Sequence, residues 1–338
     1  MKLRLLAGAG ALALALAAGA IPTASAKPGS GGSSGSGRVF FPNPVASLQN
    51  QSLTDQKDAD YPALQPAYQT VALTNLDGSG YLHGDWAYVV SETGDPAYSP
   101  DNSFSYGRSD DRFEQVMAYY WITEAQKYIQ SLGFGSTRRA VNKTAQHVRI
   151  NQLGYDNSFA TDHPKDELRF GKGGVDDAED AEVILHEYGH AIHFSQNFSF
   201  ATEEAGAISE GFGDYWAVTA TDIIAPTPDA PCVADWDSTS YTRDAPHCLR
   251  RVDADLHYPQ DLVGEVHYDG QIWSRALWDI RQALGHTKAD TIILEGQFDF
   301  PGTSMPDLAR ATVAAAQRIY GAREAKAVQA AFAARGIL

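Results

Sequence analysis

The sequence predicts an α+β fold, with strands in its N-terminal half, helices in its C-terminal half and one histidine-bearing helix between them. Three observations carry this reading. Short runs such as Val71-Ala72-Leu73 and Trp86-Ala87-Tyr88-Val89-Val90 are strand-like, and they sit among turn residues and aromatics between positions 38 and 106. Helical patterns fill residues 271–284, 289–295, 306–320 and 322–334, the last two Ala-rich and expected to pack as a pair. Between these regions, residues 180–194 contain His186-Glu187-Tyr188-Gly189-His190.

The elements follow in chain order. Lys2 and Arg4, an apolar run over residues 5–21 and the small residues Ala24-Ser25-Ala26 read as a secretory signal over residues 1–26. The run is short and Ala-rich for a membrane anchor. Residues 27–37 are Gly/Ser-rich and read as a flexible linker. A β-rich lobe is expected over residues 38–194, ending in the histidine helix, and a helical lobe over 195–338. Within the first lobe, Asp77-Gly78-Ser79-Gly80 resembles part of a cation loop but lacks the downstream Glu, which favours a tight turn. Asp110 and Asp111 cap a helix over residues 112–132 that Gly133 stops, and its stripe of Phe113, Val116, Met117, Tyr120, Trp121, Tyr128 and Leu132 reads as core. Strands are expected over residues 147–153 and 167–170. Asp177 and Asp180 stand where a cap would begin the histidine helix, and Ca²⁺ binding is their other reading.

Composition narrows the function. The 338 residues are 43% hydrophobic, enough for a sizeable core, and carry a net charge of −16, which loses two more positive charges with the signal. That balance argues against nucleic acid or anionic lipid as partners. It suits a secreted, soluble, monomeric protein with carboxylates to spare for Ca²⁺. The two cysteines, Cys232 and Cys248, are expected to form one disulfide closing a surface loop in an oxidising compartment.

The chemistry lies in the pentad. Residues four apart share one helix face, so His186 and His190 can present imidazoles to one metal ion while Glu187 takes a proton from a bound water. Two His can also merely decorate a helix, and the residues downstream weigh against that. A third ligand should follow. Metzincins place a His six residues after the second His, where this chain has Gln196; His193 reads as packing or surface rather than as a ligand. The better candidate is Glu210, nineteen residues beyond His190 in Gly206-Ala207-Ile208-Ser209-Glu210-Gly211-Phe212-Gly213-Asp214, carried by a second helix starting near Ala205. Asp214, one turn further, is placed to brace the second ring nitrogen of a ligand histidine. Two His, one Glu and an open position describe a catalytic zinc.

On these residues the chain resembles the thermolysin-like and fungalysin-like zinc endopeptidases, the gluzincins whose third ligand is a Glu on a following helix. The resemblance extends from about Phe113 to the C-terminus. It implies a two-lobed fold, β-rich and then mainly helical, with the active-site helix between the lobes. It gives His267, in Val266-His267-Tyr268-Asp269-Gly270, the role of oxyanion donor, with Asp261 as its nearest carboxylate partner. It makes Tyr155-Asp156-Asn157-Ser158-Phe159 the substrate-pairing edge strand, with Asn157 beside the scissile bond, and it puts Arg250 of Leu249-Arg250-Arg251-Val252 on the carbonyl after that bond. Two departures stand out. The family's oxyanion Tyr would fall near Ala201, where the aromatic neighbours are Phe198 and Phe200, and no long propeptide follows the signal.

The implied reaction is hydrolysis of a peptide or protein substrate at Zn²⁺ held by His186, His190 and Glu210, with Glu187 as base and then acid, and His267 stabilising the oxyanion. Two alternatives stay open at this point: a secreted binding protein that keeps the zinc fold without turnover, and a zinc hydrolase of non-peptide amides.

Overall fold

The computed structural model describes residues 32–91, 94–154, 156–163, 166–300 and 302–338. The expected signal, the first part of the expected linker and Tyr155 lie outside them.

Strand β1 (Ser33–Phe40) opens the described chain, followed by a five-residue helix α1 (Pro44–Leu48) and strands β2 (Tyr68–Leu76), β3 (Ala87–Ser91) and β4 (Ser103–Phe104). The linker expectation is corrected here from Ser33 onwards. Those Gly and Ser residues pair antiparallel with β2 (Arg38 opposite Thr70) and parallel with β4, giving the order β2-β1-β4. Their smallness serves packing rather than flexibility. A Cβ at Gly35 would lie 2.2 Å from the Asn102 carbonyl oxygen, and one at Gly37 would lie 2.6 Å from Val116 Cγ1. The Asp77 segment is the expected turn, with the Ser79 amide donating to Asp77 Oδ1 at 2.8 Å.

Helix α2 (Arg112–Ser131) then crosses over to β5 (Gln146–Leu153), which runs parallel to β3 with Val148 beside Val89. Asp110 rather than Asp111 meets the Arg112 amide, and Gly133 follows with φ +94°. The α2 stripe is core, and burial extends past it to Glu114, Gln115, Thr123 and Gln126. Full burial of a side chain such as Phe113 stabilises the fold by roughly 1.5–3 kcal/mol. Strands β6 (Phe159–Thr161) and β7 (Glu167–Gly171) complete a sheet of order β3-β5-β7-β6, in which β6 runs antiparallel to β7 and forms an edge.

The histidine helix α3 (Ala181–Ser195) starts under tight control. Asp180 caps it by accepting the Glu182 amide at 2.9 Å, and its other oxygen accepts the Trp236 and Asp237 amides. Just ahead, buried Glu179 receives the Arg108 guanidinium at 2.9 Å and the Trp236 indole N–H at 3.0 Å. Asp177 is not a cap; it lies in a one-turn 3₁₀ segment, Asp177–Glu179.

Beyond α3 come α4 (Glu203–Ile224), the short antiparallel pair β8 (Cys232–Val233) and β9 (Arg250–Arg251), and helices α5 (Val266–Leu284), α6 (His286–Gln297), α7 (Met305–Ile319) and α8 (Ala322–Ala334). Helix α5 begins five residues before the expected start, which puts His267 inside its first turn. Helix α4 packs against both α3 and α5, while α6, α7 and α8 pack in succession. The fold is α+β, β-rich first and mainly helical afterwards, with α3 at the junction in sequence.

Candidate metal centre

Three helices build the site by close approach. A Cβ at Gly189 would sit 2.9 Å from Gly213 Cα, and one at Gly213 would sit 2.8 Å from the His186 ring, so these glycines let α3 and α4 touch. Likewise Gly211 and Gly270 bring α4 against α5, since a Cβ at Gly211 would come 2.2 Å from the Gly270 carbonyl oxygen. The first contact places Glu210 over the histidines; the second brings His267 to the same place.

His186 and His190 present their rings nearly perpendicular, with centroids 4.9 Å apart. Glu210 Oε2 lies 3.2 Å from His186 Nε2, and Oε1 lies 3.7 Å from His190 Nε2. The three side chains offer ligand atoms all within 4.8 Å of one another. Although 3.2 Å is close, Glu210 Oε2 is buried without a directed hydrogen bond among the described residues, and so is Glu187 Oε2. Groups turned towards a common centre rather than towards each other show that pattern. Two imidazole nitrogens and one carboxylate also make the donor set of a catalytic zinc, so the residues fit the ion.

Each of the two histidines is braced from behind. His186 Nδ1 meets Asp214 Oδ1 at 2.9 Å, as Asp214's place in the sequence predicts. Asp214 is itself held by Arg250, whose Nε and Nη2 each donate at 2.7 Å. His190 Nδ1 lies 2.8 Å from Ser209 Oγ, and His193 Nδ1 lies 3.0 Å from the same oxygen. A hydroxyl has one proton and two lone pairs, so Ser209 can meet both rings at once. With His190 Nε2 facing Glu210, its Nδ1 is the ring nitrogen that Ser209 holds, and the same hydroxyl meets neutral His193. That histidine is fully buried between the Phe198 and Phe212 rings, so it is packing and not a ligand.

Charges follow from this arrangement. Burial opposes the charged form of His186, but Asp214 and Glu210 outweigh it and lift the ring to about 10. Burial likewise opposes ionised Glu210, yet His190, His186 and His267 hold it well below the usual carboxylate range. Asp214, also buried, is brought down to about 2 by Arg250 and His186. Burial lowers His190 to about 4, with charged His186 adding to the effect. Glu187 goes the other way: burial, helped by Glu210, pushes it up to about 8. A carboxyl poised near neutrality can both take and return a proton.

His267 is half exposed, with Nε2 3.4 Å from Glu210 Oε2. Its carboxylate partner is Glu265, at 2.7 Å from Nδ1, and not Asp261, which instead accepts the His257 amide. Glu265 is the N-cap of α5 and also accepts the His267 and Tyr268 amides. Asn157 is exposed, two residues ahead of β6; the edge strand begins at Phe159, and residues 156–158 ahead of it are not strand. Arg250 stands in β9 opposite Val233 of β8, beside the Cys232–Cys248 disulfide. Loop closure on this scale contributes roughly 3 kcal/mol. The Cys232→Ser/Cys248→Ser double variant should therefore unfold in urea with a stability lower by about 2–4 kcal/mol at saturating zinc.

The helix-borne His/His/Glu set with a carboxylate-braced imidazole is the arrangement that metallohydrolase centres use, and it could hold a metal ion. The model of the fungalysin metallopeptidase family (M36) matches residues 172–337, a stretch holding His186, His190, Glu210, Asp214, Arg250 and His267. Among solved structures the chain is similar to the precursor of protealysin, a metalloproteinase from Serratia proteamaculans. That likeness has a TM-score of 0.55 at 18% identity, covers 67% of this chain and 79% of that one, and speaks for the fold. No curated protein matches the chain. The chain is a zinc metallopeptidase that is similar to the fungalysin family over residues 172–337 and to protealysin in fold.

Proposed function

We propose that the protein is a secreted endopeptidase in which His186, His190 and Glu210 hold the zinc and Glu187 is the general base. The observation that carries this reading is the convergence of the two Nε2 atoms and the Glu210 carboxylate, with a buried Glu187 oxygen that has no hydrogen-bond partner among the described residues. When bound, zinc supplies a Lewis acid that acidifies water and polarises a carbonyl. Glu187 takes the water's proton and returns it to the leaving amine, a role its raised proton affinity suits. His267, oriented by Glu265, donates to the developing oxyanion. Arg250 uses Nε and Nη2 on Asp214 and offers Nη1 to a substrate carbonyl.

Edge strand β6 gives an extended peptide a main chain to pair with, and Asn157 lies at its entry. Peptide substrates are thus favoured over small amides. No helix among the described residues is long and apolar enough to cross a membrane. Export rests on the signal-like start of the sequence. The lobes divide at residue 194, in the last turn of α3, and the acidic surplus suits Ca²⁺ as a second cation.

The deciding experiment is casein and peptide cleavage by the zinc-loaded protein against its Glu187→Gln variant. Loss of the base should lower kcat by roughly 10²–10⁴ with zinc content unchanged. Equal inactivity of both proteins across zinc concentration and pH would favour a binding protein that keeps the fold. Mass spectrometry of the products would expose a preference for non-peptide amides.

A further inference from the structure

Packing accounts for only part of His193. Its ring is fully buried, stacked by Phe198 at 4.0 Å and by Phe212 at 4.5 Å between centroids. A phenyl ring would fill that slot without desolvating two nitrogens, and burying a polar atom without a partner costs stability. Here Nε2 is such an atom, with no hydrogen-bond partner among the described residues. What the imidazole offers and a phenyl ring does not is Nδ1, 3.0 Å from Ser209 Oγ. The same oxygen stands 2.8 Å from His190 Nδ1.

Local geometry brings the three groups together. His190 and His193 lie three apart on α3 and so share a face, while Ser209 immediately precedes Glu210 on α4, the helix packed against it. Ser209 is 1% exposed, which keeps its hydroxyl out of reach of bulk water. The two histidines of the centre are braced unequally. Behind His186 stands Asp214, an ionised carboxylate that can only accept, so that contact favours a proton on Nδ1. Behind His190 stands a hydroxyl, which can donate or accept. If Ser209 donates to His190 Nδ1, the proton of the neutral ring sits on Nε2, the nitrogen a metal ion needs. If Ser209 accepts, the ring proton sits on Nδ1 and the Nε2 lone pair is free. No further hydrogen bond of the Ser209 hydroxyl is found among the described residues, so its proton goes to one ring or the other.

We propose that His193 is a positioning residue for zinc binding: its Nδ1 takes the Ser209 proton, so that Ser209 accepts from His190 Nδ1–H and His190 Nε2 stays free for the ion. Two lone pairs facing each other at 2.8 Å would repel, so a Ser209 turned towards His193 disfavours the wrong tautomer of His190. The Phe198 and Phe212 rings hold the imidazole in the plane that meets Ser209. This rests on the zinc reading and adds to it a control on one of the histidines.

The test uses the full chain in the Glu187→Gln background, which removes self-digestion, with zinc affinity read by competition with a chromophoric chelator. His193→Phe keeps the stack and deletes the hydrogen bond. It should weaken zinc binding roughly 10–100-fold, the range found when an outer partner of a metal ligand is changed. Ser209→Ala should lose about as much, and the double variant no more than Ser209→Ala alone, because the effect of His193 passes through that hydroxyl. His193→Asn, which puts a polar atom where Nδ1 stands, should bind zinc more tightly than the similarly sized His193→Leu. That pair also carries the test if His193→Phe does not fold. A folded His193→Phe that binds zinc as tightly as its parent overturns the proposal, as do equal losses in His193→Asn and His193→Leu, or losses at positions 193 and 209 that simply add. A parent that binds no zinc overturns the zinc reading itself, whereas a parent and variants that bind it alike overturn only the role of His193.

Discussion

Glu210→Gln should lose zinc by much more than the roughly 10–100-fold that changing an outer partner of a metal ligand costs. The carboxylate brings the negative charge of the ligand set, and it faces both imidazoles at 3.2 and 3.7 Å. Gln keeps the shape and one oxygen but neither the charge nor the second acceptor. His186 would keep Asp214 as its brace while losing one of the two carboxylates that favour its charged form. Competition with a chromophoric chelator gives the affinity directly. Cleavage should fall in parallel at limiting zinc and recover only in part at high zinc. Asp214→Asn offers the contrast: it leaves all three ligands in place, and its loss should stay within the 10–100-fold range. Similar affinities for Glu210→Gln and the parent would remove Glu210 from the ligand set.

Much of the site was legible because helix geometry fixes it locally. His186 and His190 share a face by spacing alone, and Asp214 follows Glu210 by one turn, so its contact with His186 needed only the two helices to meet. What escaped depended on longer-range packing or on unusual termini. Ser209 looks like one more small residue before Glu210, and only the approach of α3 turns its hydroxyl into the link between His190 and His193. Glu265 was hidden because Glu is a rare helix cap and Gly270 weakens the helical pattern, which moved the expected start of α5 past His267. Arg250 reaches Asp214 from β9, whose place depends on β8 and the disulfide rather than on its own sequence neighbours. The Gly/Ser run before Arg38 misled through composition, since residues that suit a linker also suit a strand squeezed between Asn102 and Val116.

Gly213→Ala should disable the site without replacing His186, His190 or Glu210. The added methyl would lie 2.8 Å from both Cε1 and Nδ1 of His186, closer than carbon atoms pack, and the ring is held at that same Nδ1 by Asp214. Either the imidazole tilts and breaks that 2.9 Å hydrogen bond, or α4 moves away from α3 and takes Glu210 with it. Overpacking of this kind costs about 1–3 kcal/mol of stability. The larger effect is on function, because a misplacement of about 1 Å can cost 10²-fold in rate. The variant should therefore unfold cooperatively at a modestly lower temperature, bind zinc at least tenfold more weakly and cleave peptide about 10²-fold more slowly. Gly285→Ala is the control: that residue, between α5 and α6, has nothing within 4 Å of an added Cβ, so its cost is limited to the backbone strain of φ +76°. If Gly213→Ala bound zinc as tightly as the parent while losing the same stability as the control, the close contact of α3 with α4 would be packing alone, and the placement of Glu210 would need another cause.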